Sequence, residues 1–153
     1  MIDVNALQPG DVLLYKPSGL FGRLIALKTW HALSHVEVYV GAGQSVASRD
    51  GQGVDRYPLR TDKLAHVLRP TVDIDLSAGL RWFEREARGL PYGWWDLGSF
   101  VGLTHDGHGM VCSPFATAFL RNCGMPIFNK EPINVIAPCD FLQTNLLAEV
   151  HVA

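Results

Sequence analysis

A strict alternation over residues 34–41 limits the folds open to this chain more than any other pattern in it. Polar or aromatic side chains alternate there with valines: His35, Glu37 and Tyr39 against Val36, Val38 and Val40. In a β-strand, successive side chains point to opposite faces of the sheet. The sequence therefore predicts a strand whose valines face a hydrophobic core, with His35 and Glu37 together on the other face.

Short glycine-rich links join this strand to further strands. The links at residues 41–44 and 50–53 each contain two glycines. Connections of this length join antiparallel neighbours, so we expect an antiparallel meander. The other predicted strands span residues 10–15, 45–49, 54–59 and 64–69.

The second half of the chain changes to helical periodicity. Apolar residues recur at helical spacing over residues 76–88, and Gly89 is placed to end a helix there. Ser113 followed by Pro114 is typical of an N-cap and a first helical position, which predicts a helix over residues 115–122. Further helices are predicted at residues 20–30, 94–103 and 140–147, and a final edge strand at 149–152.

The order and amount of these elements predict the fold class. Strands followed by helices, without an internal repeat or a low-complexity linker, are typical of α+β proteins. A length of 153 residues corresponds to about one domain, and 48% hydrophobic residues suit a globular core. We expect one α+β domain over residues 1–153, with a small antiparallel sheet packed against helices.

Charge and hydropathy argue against two kinds of partner. The chain has 13 basic and 15 acidic residues and no run of like charges, so we expect no nucleic-acid partner. Its apolar stretches are shorter than the roughly 18 residues of a membrane span. The amino terminus carries Asp3 and no basic stretch, so we expect no signal peptide and a cytoplasmic chain.

The three cysteines fit neither a disulfide framework nor a Cys-x-x-Cys metal site. Cys112 lies just before the predicted Ser113 cap, where the positive end of a helix favours thiolate. Cys123 lies at the opposite end of that helix, and Cys139 lies beside Asp140, which raises a thiol pKa. Cys112 is thus the candidate nucleophile. The alternative is an inert buried cysteine, the commoner role of this residue.

A cysteine nucleophile needs a base within hydrogen-bond reach and a polar group that orients the base. His35 and Glu37 share a strand face and supply both, so Cys112, His35 and Glu37 are a chemically sufficient set. The alternative for His35 and Glu37 is a solvated sheet face without a catalytic role. His35 and Cys112 are 77 residues apart, so only the fold can bring them together.

Four segments of the chain carry a family resemblance. They are PGDVL at residues 9–13, SHVEVYVG at 34–41, GLPYGW at 89–94 and VCSPFAT at 111–117. In that order they resemble the circularly permuted NlpC-type papain-like cysteine hydrolases of the YiiX-like group, over roughly residues 9–142. The resemblance pairs Cys112 with His35. It implies a small antiparallel sheet packed against a helix that presents the cysteine at its amino end.

The resemblance is incomplete at the third catalytic position. Relatives usually have a polar residue on the strand after the histidine strand, where this chain has Ala47. Glu37 is expected to compensate, with Ser48 as the alternative orienting residue. The resemblance also implies an oxyanion site made by the start of the Cys112 helix, around Ser113, with Tyr92 nearby. The alternative for Tyr92 is a half-buried aromatic residue in a turn.

Other motifs predict little chemistry. Trp94 and its neighbour Trp95 are candidates for a platform under a sugar or peptide, although such pairs more often divide between core and rim. Residues 105–108, His-Asp-Gly-His, are more typical of a polar loop than of a metal site. Residues 41–43 are too short and wrongly placed for a dinucleotide loop. We therefore expect neither a metal nor a cofactor.

The resemblance implies a thiol hydrolase that cleaves an amide bond through an acyl-enzyme. Its expected substrate is a cell-wall peptide, as for a peptidoglycan endopeptidase or amidase, and a phage or another carrier could deliver it to the wall. One alternative is a lipid acyltransferase or thioesterase with the same Cys–His pair. Another is a catalytically silent peptide- or glycan-binding module of a larger assembly. The sequence leaves the bond cleaved and the oligomeric state open.

Overall fold

Six antiparallel strands form one sheet in the computed structural model, which describes residues 3–18, 23, 32–93, 110–129 and 136–151. The spatial order of the strands is β4-β3-β2-β1-β5-β6. With the helices described below, this sheet confirms the predicted α+β class. In chain order the strands are β1 (Val12–Tyr15), β2 (His35–Gly41), β3 (Gln44–Arg49), β4 (Gly53–Pro58), β5 (Leu64–Pro70) and β6 (Leu147–Glu149).

The predicted meander is right for β1 to β4 and wrong for β5. Strand β5 pairs with the free side of β1, with Val12 opposite Leu68, rather than with β4, its neighbour in sequence. All four residues of β1 are buried. A buried strand needs hydrogen-bond partners on both sides, because an unpaired N–H or C=O group away from water is costly. The crossover to β5 supplies the second partner.

The alternation in β2 divides its side chains as predicted. Val36 and Val38 belong to the larger hydrophobic cluster, together with the helix residues Phe115 and Phe119. On the other face, Tyr39 belongs to a second cluster with residues of β1 and β5. Both faces of the sheet are therefore covered near β2.

Two helices pack on the valine face of the sheet. Helix α1 (Leu76–Trp82) continues as a π-helical turn at Phe83–Ala87, and α2 spans Cys112–Asn122. They approach closely at Gly79, where a Cβ atom would overlap Cys123 Sγ. Helix α2 contacts β2 and β3, so its amino end lies over the strand that begins with His35.

The ends of the predicted elements differ by a few residues from the structure. The predicted helix over 76–88 ends at Ala87. The predicted helix over 140–147 is a 3-10 helix at Pro138–Gln143, because the Asp140 carboxylate accepts the Ala137 N–H at 2.9 Å and starts the turn earlier. The last strand is Leu147–Glu149 rather than 149–152, since Leu147 pairs with Pro70 of β5.

Some expectations fall outside the described residues. These are the helix at 94–103, all but residue 23 of the helix at 20–30, and the loop at 104–109. Within the described part of the chain, no helix is both long and apolar enough to cross a membrane.

Candidate active site

His35 and Glu37 lie together on one face of β2, as the alternation predicts. His35 is the first residue of the strand, and its Nε2 lies 3.0 Å from Glu37 Oε1. The imidazole side chain is 17% exposed, whereas the Glu37 side chain is fully buried. This burial rules out the alternative of a solvated sheet face.

The Glu37 carboxylate is the centre of a buried polar cluster. Besides His35 it accepts hydrogen bonds from Arg49 Nε at 2.9 Å, Arg49 Nη2 at 3.1 Å and Arg60 Nη2 at 3.0 Å. Ser45 Oγ also donates to it. We call Glu37, Ser45, Arg49 and Arg60 the carboxylate cluster. Paired in this way, Glu37 can remain ionised although it is out of water.

The hydrogen-bond partners of Glu37 and His35 determine whether these two side chains are charged. Burial alone would raise the pKa of Glu37, but the hydrogen bonds from His35, Arg49 and Ser45 hold it well below its usual range. Burial alone would lower the pKa of His35, yet the hydrogen bonds to Cys112 and Glu37 raise it to about 9. The imidazole is therefore protonated near neutral pH and lies beside a carboxylate anion.

Cys112 occupies the first position of α2. The helix was expected to begin after a Ser113 cap, but the cap is Val111, whose carbonyl accepts the Phe115 N–H at 3.0 Å. The helical turn therefore includes Cys112, Ser113 and Pro114, and the proline is tolerated because an N–H there would lack a helical partner anyway. The thiol lies directly at the positive end of the helix dipole.

The contacts of Cys112 act on its thiol in both directions. Its Sγ lies 3.9 Å from the carbonyl oxygen of Ser34, the residue before His35, which accepts from the protonated thiol, and 3.9 Å from Ser113 Oγ. Burial alone would raise the pKa of Cys112, but the interaction with His35 and the backbone N–H of Val36 lower it. Because Nε2 of His35 is bonded to Glu37, we assign the contact with the thiol to Nδ1. The fold thus brings together Cys112, His35 and Glu37, in that order.

The side chain of Ser48 has a role other than the one considered from the sequence. It lies on the valine face of β3, one residue out of phase with Ser45 and Arg49, and its Oγ donates to the Met110 carbonyl. Ser48 therefore makes no hydrogen bond to the His35 ring within the described residues. It anchors instead the segment that leads into Cys112, and the side chain that bonds the His35 ring is that of Glu37.

Tyr92 lies beside the same segment. Residues 92 and 110 form a bridge in which the Gly93 N–H donates to the Met110 carbonyl at 3.2 Å. Burial, and next the negative charge of Cys112, raise the pKa of Tyr92. Its hydroxyl is therefore a neutral group near the Cys112 sulfur, and its place at an oxyanion site stays a prediction.

The thiol at the amino end of α2 is enclosed, since Cys112 is only 3% exposed. Polar atoms of Ser34, Ser113 and His35 lie around its Sγ, so the enclosure is not purely apolar. A substrate carbonyl can reach the sulfur only if neighbouring groups move.

The other two cysteines differ from Cys112 in their electrostatics. Burial raises the pKa of Cys123 to about 12, and burial together with Asp140 raises the pKa of Cys139. The described residues contain no cluster of three or more His, Cys, Asp or Glu side chains that could hold a metal ion. Trp94 and the residues 105–108 lie outside the described part of the chain.

Sequence reasoning missed most of the carboxylate cluster. Ser45 and Arg49 alternate along β3, which indicates that they share a face of that strand. The register with β2 was needed to show that this is also the face that carries His35 and Glu37. Tyr39 pairs with Ser45, and continuing this register sets Ala47 opposite Glu37. Arg60 follows β4 and reaches Glu37 only through the fold, without a signal in the local sequence.

Comparison with known proteins does not assign the chain to a family. No family model matches the chain, and no curated protein matches it significantly. The function therefore has to be inferred from the geometry of Cys112, His35 and Glu37.

Proposed function

We propose that this chain is a cysteine hydrolase that cleaves an amide bond through an acyl-enzyme. The observation that carries the proposal is a thiol at the first position of a helix, next to a histidine whose other ring nitrogen is held by a buried carboxylate. A nucleophile next to a base, and the base next to a group that orients it, are the elements of covalent acyl transfer.

The proposed reaction begins with attack of Cys112 Sγ on the substrate carbonyl. The oxyanion is met by unpaired backbone N–H groups at the start of α2, with the Tyr92 hydroxyl nearby. The protonated His35 gives its proton to the leaving amine, and the C–N bond breaks to leave a thioester on Cys112. Neutral His35 then takes a proton from water, which attacks the thioester and releases the acid. Glu37 holds the ring throughout.

The family and the substrate class are also proposals. The order of elements, with the histidine strand before the cysteine helix, supports assignment to the circularly permuted NlpC-type papain-like hydrolases. That assignment favours a peptide of the bacterial cell wall as substrate. An acyltransferase or thioesterase would share the first step and differ in the acceptor and the acyl group.

The test is incubation with peptidoglycan fragments and mass analysis of the products. We expect new amino and carboxyl ends, and complete loss of cleavage in Cys112→Ala. Cys123→Ala is the matched control, because that cysteine caps the other end of the same helix and lies away from His35. Fragments left intact by the wild type, while a lipid ester or thioester is cleaved in a Cys112-dependent way, would contradict the amidase proposal. Inertness towards both substrates would favour a binding module.

A further inference from the structure

The two arginines that contact Glu37 hold it in different ways. Arg49 makes a fork, donating from Nε to one carboxylate oxygen and from Nη2 to the other, at 2.9 and 3.1 Å. Arg60 donates through Nη2 alone, to the oxygen that also accepts from His35. A two-pronged contact fixes the plane of a carboxylate, whereas a single contact leaves it free to rotate.

Arg49 is itself fixed in place. Its side chain is 13% exposed, against 36% for Arg60. The guanidinium carbon lies 4.2 Å from the centre of the Tyr57 ring, and Nη2 also donates to the Pro58 carbonyl at 3.3 Å. Strand β4 therefore braces Arg49, and Arg49 transmits that rigidity to the carboxylate on β2.

We propose that Arg49 is a positioning residue that acts through Glu37 to hold the His35 ring against Cys112. The chain of contacts runs from Arg49 to the Glu37 carboxylate and to His35 Nε2, and the thiol lies at the same end of β2, with Sγ 3.9 Å from the carbonyl oxygen of Ser34. This inference rests on the proposed function for its catalytic meaning. The coupling itself is a property of the Cys112 thiol and is measurable without a substrate.

Removal of Arg49 has three effects, and all three shift the pKa of the Cys112 thiol in the same direction. The imidazolium loses its fixed orientation, a neighbouring positive charge disappears, and the negative charge of Glu37 is less neutralised. Each of them disfavours thiolate and raises the pKa of Cys112. Several titratable and charged groups face the site from the elements packed around it: Tyr15 from β1, His35 and Glu37 from β2, Arg49 from β3, Tyr57 from β4, Arg60 and Asp62 from the link to β5, Tyr92 from the segment beside Met110, and Cys112 from α2.

The test compares the wild type with Arg49→Met. Peptide mass analysis measures the rate at which iodoacetamide alkylates Cys112 in each protein between pH 5 and 9. We expect the profile to move to higher pH by about one unit, so that the rate on its acidic limb, below the thiol pKa, falls about tenfold. Arg60→Met is expected to shift the profile less, because it removes one hydrogen bond rather than two.

Arg69→Met is the matched control. Arg69 makes the same fork on another buried carboxylate, with Nε and Nη2 at 2.9 and 2.8 Å from Asp11, away from His35. It should lower stability without shifting the alkylation profile. If Arg49→Met does not fold, Arg49→Lys decides, since it keeps the charge and removes the fork. A folded Arg49 variant with an unshifted profile would overturn the inference. The absence of hydrolysis alone would refute only the proposed function.

Discussion

At the scale of single residues, Glu37 links stability to chemistry. Its carboxylate is buried and receives five hydrogen bonds, from His35, Ser45, Arg49 and Arg60. Removing one partner of a buried ion pair is costly, because it leaves the other charge uncompensated. The same side chain orients His35, so the fold and the thiolate depend on one carboxylate.

The corresponding prediction concerns Glu37→Gln. The amide keeps the shape and loses the charge, so Arg49 and the partly exposed Arg60 lose their anion. We expect the free energy of unfolding to fall by about 3 kcal/mol, because water screens part of the uncompensated charge. We expect the alkylation of Cys112 at mildly acidic pH to slow, because the His35 imidazolium loses the carboxylate that stabilises and orients it. Chemical denaturation measures the first effect and peptide mapping the second.

Glu84→Gln is the control for this variant. Glu84 also pairs with two arginines, Arg56 and Arg88, but on the exposed surface. Surface ion pairs contribute little because water and salt screen them. Equal stability losses in Glu37→Gln and Glu84→Gln would contradict the central place of Glu37.

At the scale of elements, the site depends on how closely the two helices and the sheet approach one another. Gly79 in α1 allows that approach, since a Cβ there would overlap Cys123 Sγ and lie 3.3 Å from the Phe119 carbonyl oxygen. Gly79→Ala therefore overpacks the contact, at a cost of about 1–3 kcal/mol that opposes a gain of about 1 kcal/mol in helix propensity.

The second prediction is that Gly79→Ala lowers stability and that Cys123→Ala partly restores it. The double variant gives the new methyl group the space that the sulfur occupied. Thermal or chemical unfolding of the two single variants and the double variant completes the cycle. Purely additive changes would show that the clash with Cys123 is not the cause of the loss.

What the sequence predicts at this scale is periodic, and what it misses is long-range. The alternation in β2 correctly placed His35 and Glu37 on one face, because strand geometry alone determines it. The unbroken apolar run of β1 indicates a strand buried on both faces, but no local pattern reports that β5 pairs with its second side. The helix start at Cys112 was missed because Ser113-Pro114 resembles a cap, while Val111 closes the turn with its carbonyl. Arg49 and Arg60 reach Glu37 only through that wider arrangement.

At the scale of the whole molecule, the Cys112–His35 pair links folding to pH. His35 has a folded pKa of about 9, raised from 6.5, so its contribution is complete below pH 6.5 and is lost as the pH rises through 9. Cys112 has a lowered pKa, so its contribution is complete only above the pKa of an unfolded thiol and is lost on acidification. The two slopes have opposite signs and partly cancel where both groups titrate, between the lowered pKa of Cys112 and the pKa of an unfolded thiol, about 8.5.

The third prediction follows from this cancellation. In Cys112→Ala the thiol contribution is absent, while Glu37 still favours the protonated form of His35. The stability advantage of the wild type should therefore grow with pH, by up to about 1.4 kcal/mol per pH unit from pH 6.5 to 8. Urea titrations of both proteins across this range provide the measurement. A constant difference would mean that the folded protein holds a neutral thiol.

The most direct test of the account is which cysteine reacts first with iodoacetamide at mildly acidic pH. Peptide mapping compares Cys112 with Cys123 and Cys139, whose raised pKa values make them internal controls. A thiolate–imidazolium pair predicts that Cys112 labels first in the folded protein, and that His35→Ala abolishes this preference and leaves only the smaller effect of the helix dipole. Equal labelling of the three cysteines, a Cys112 rate indifferent to His35, or no labelling before unfolding would contradict it.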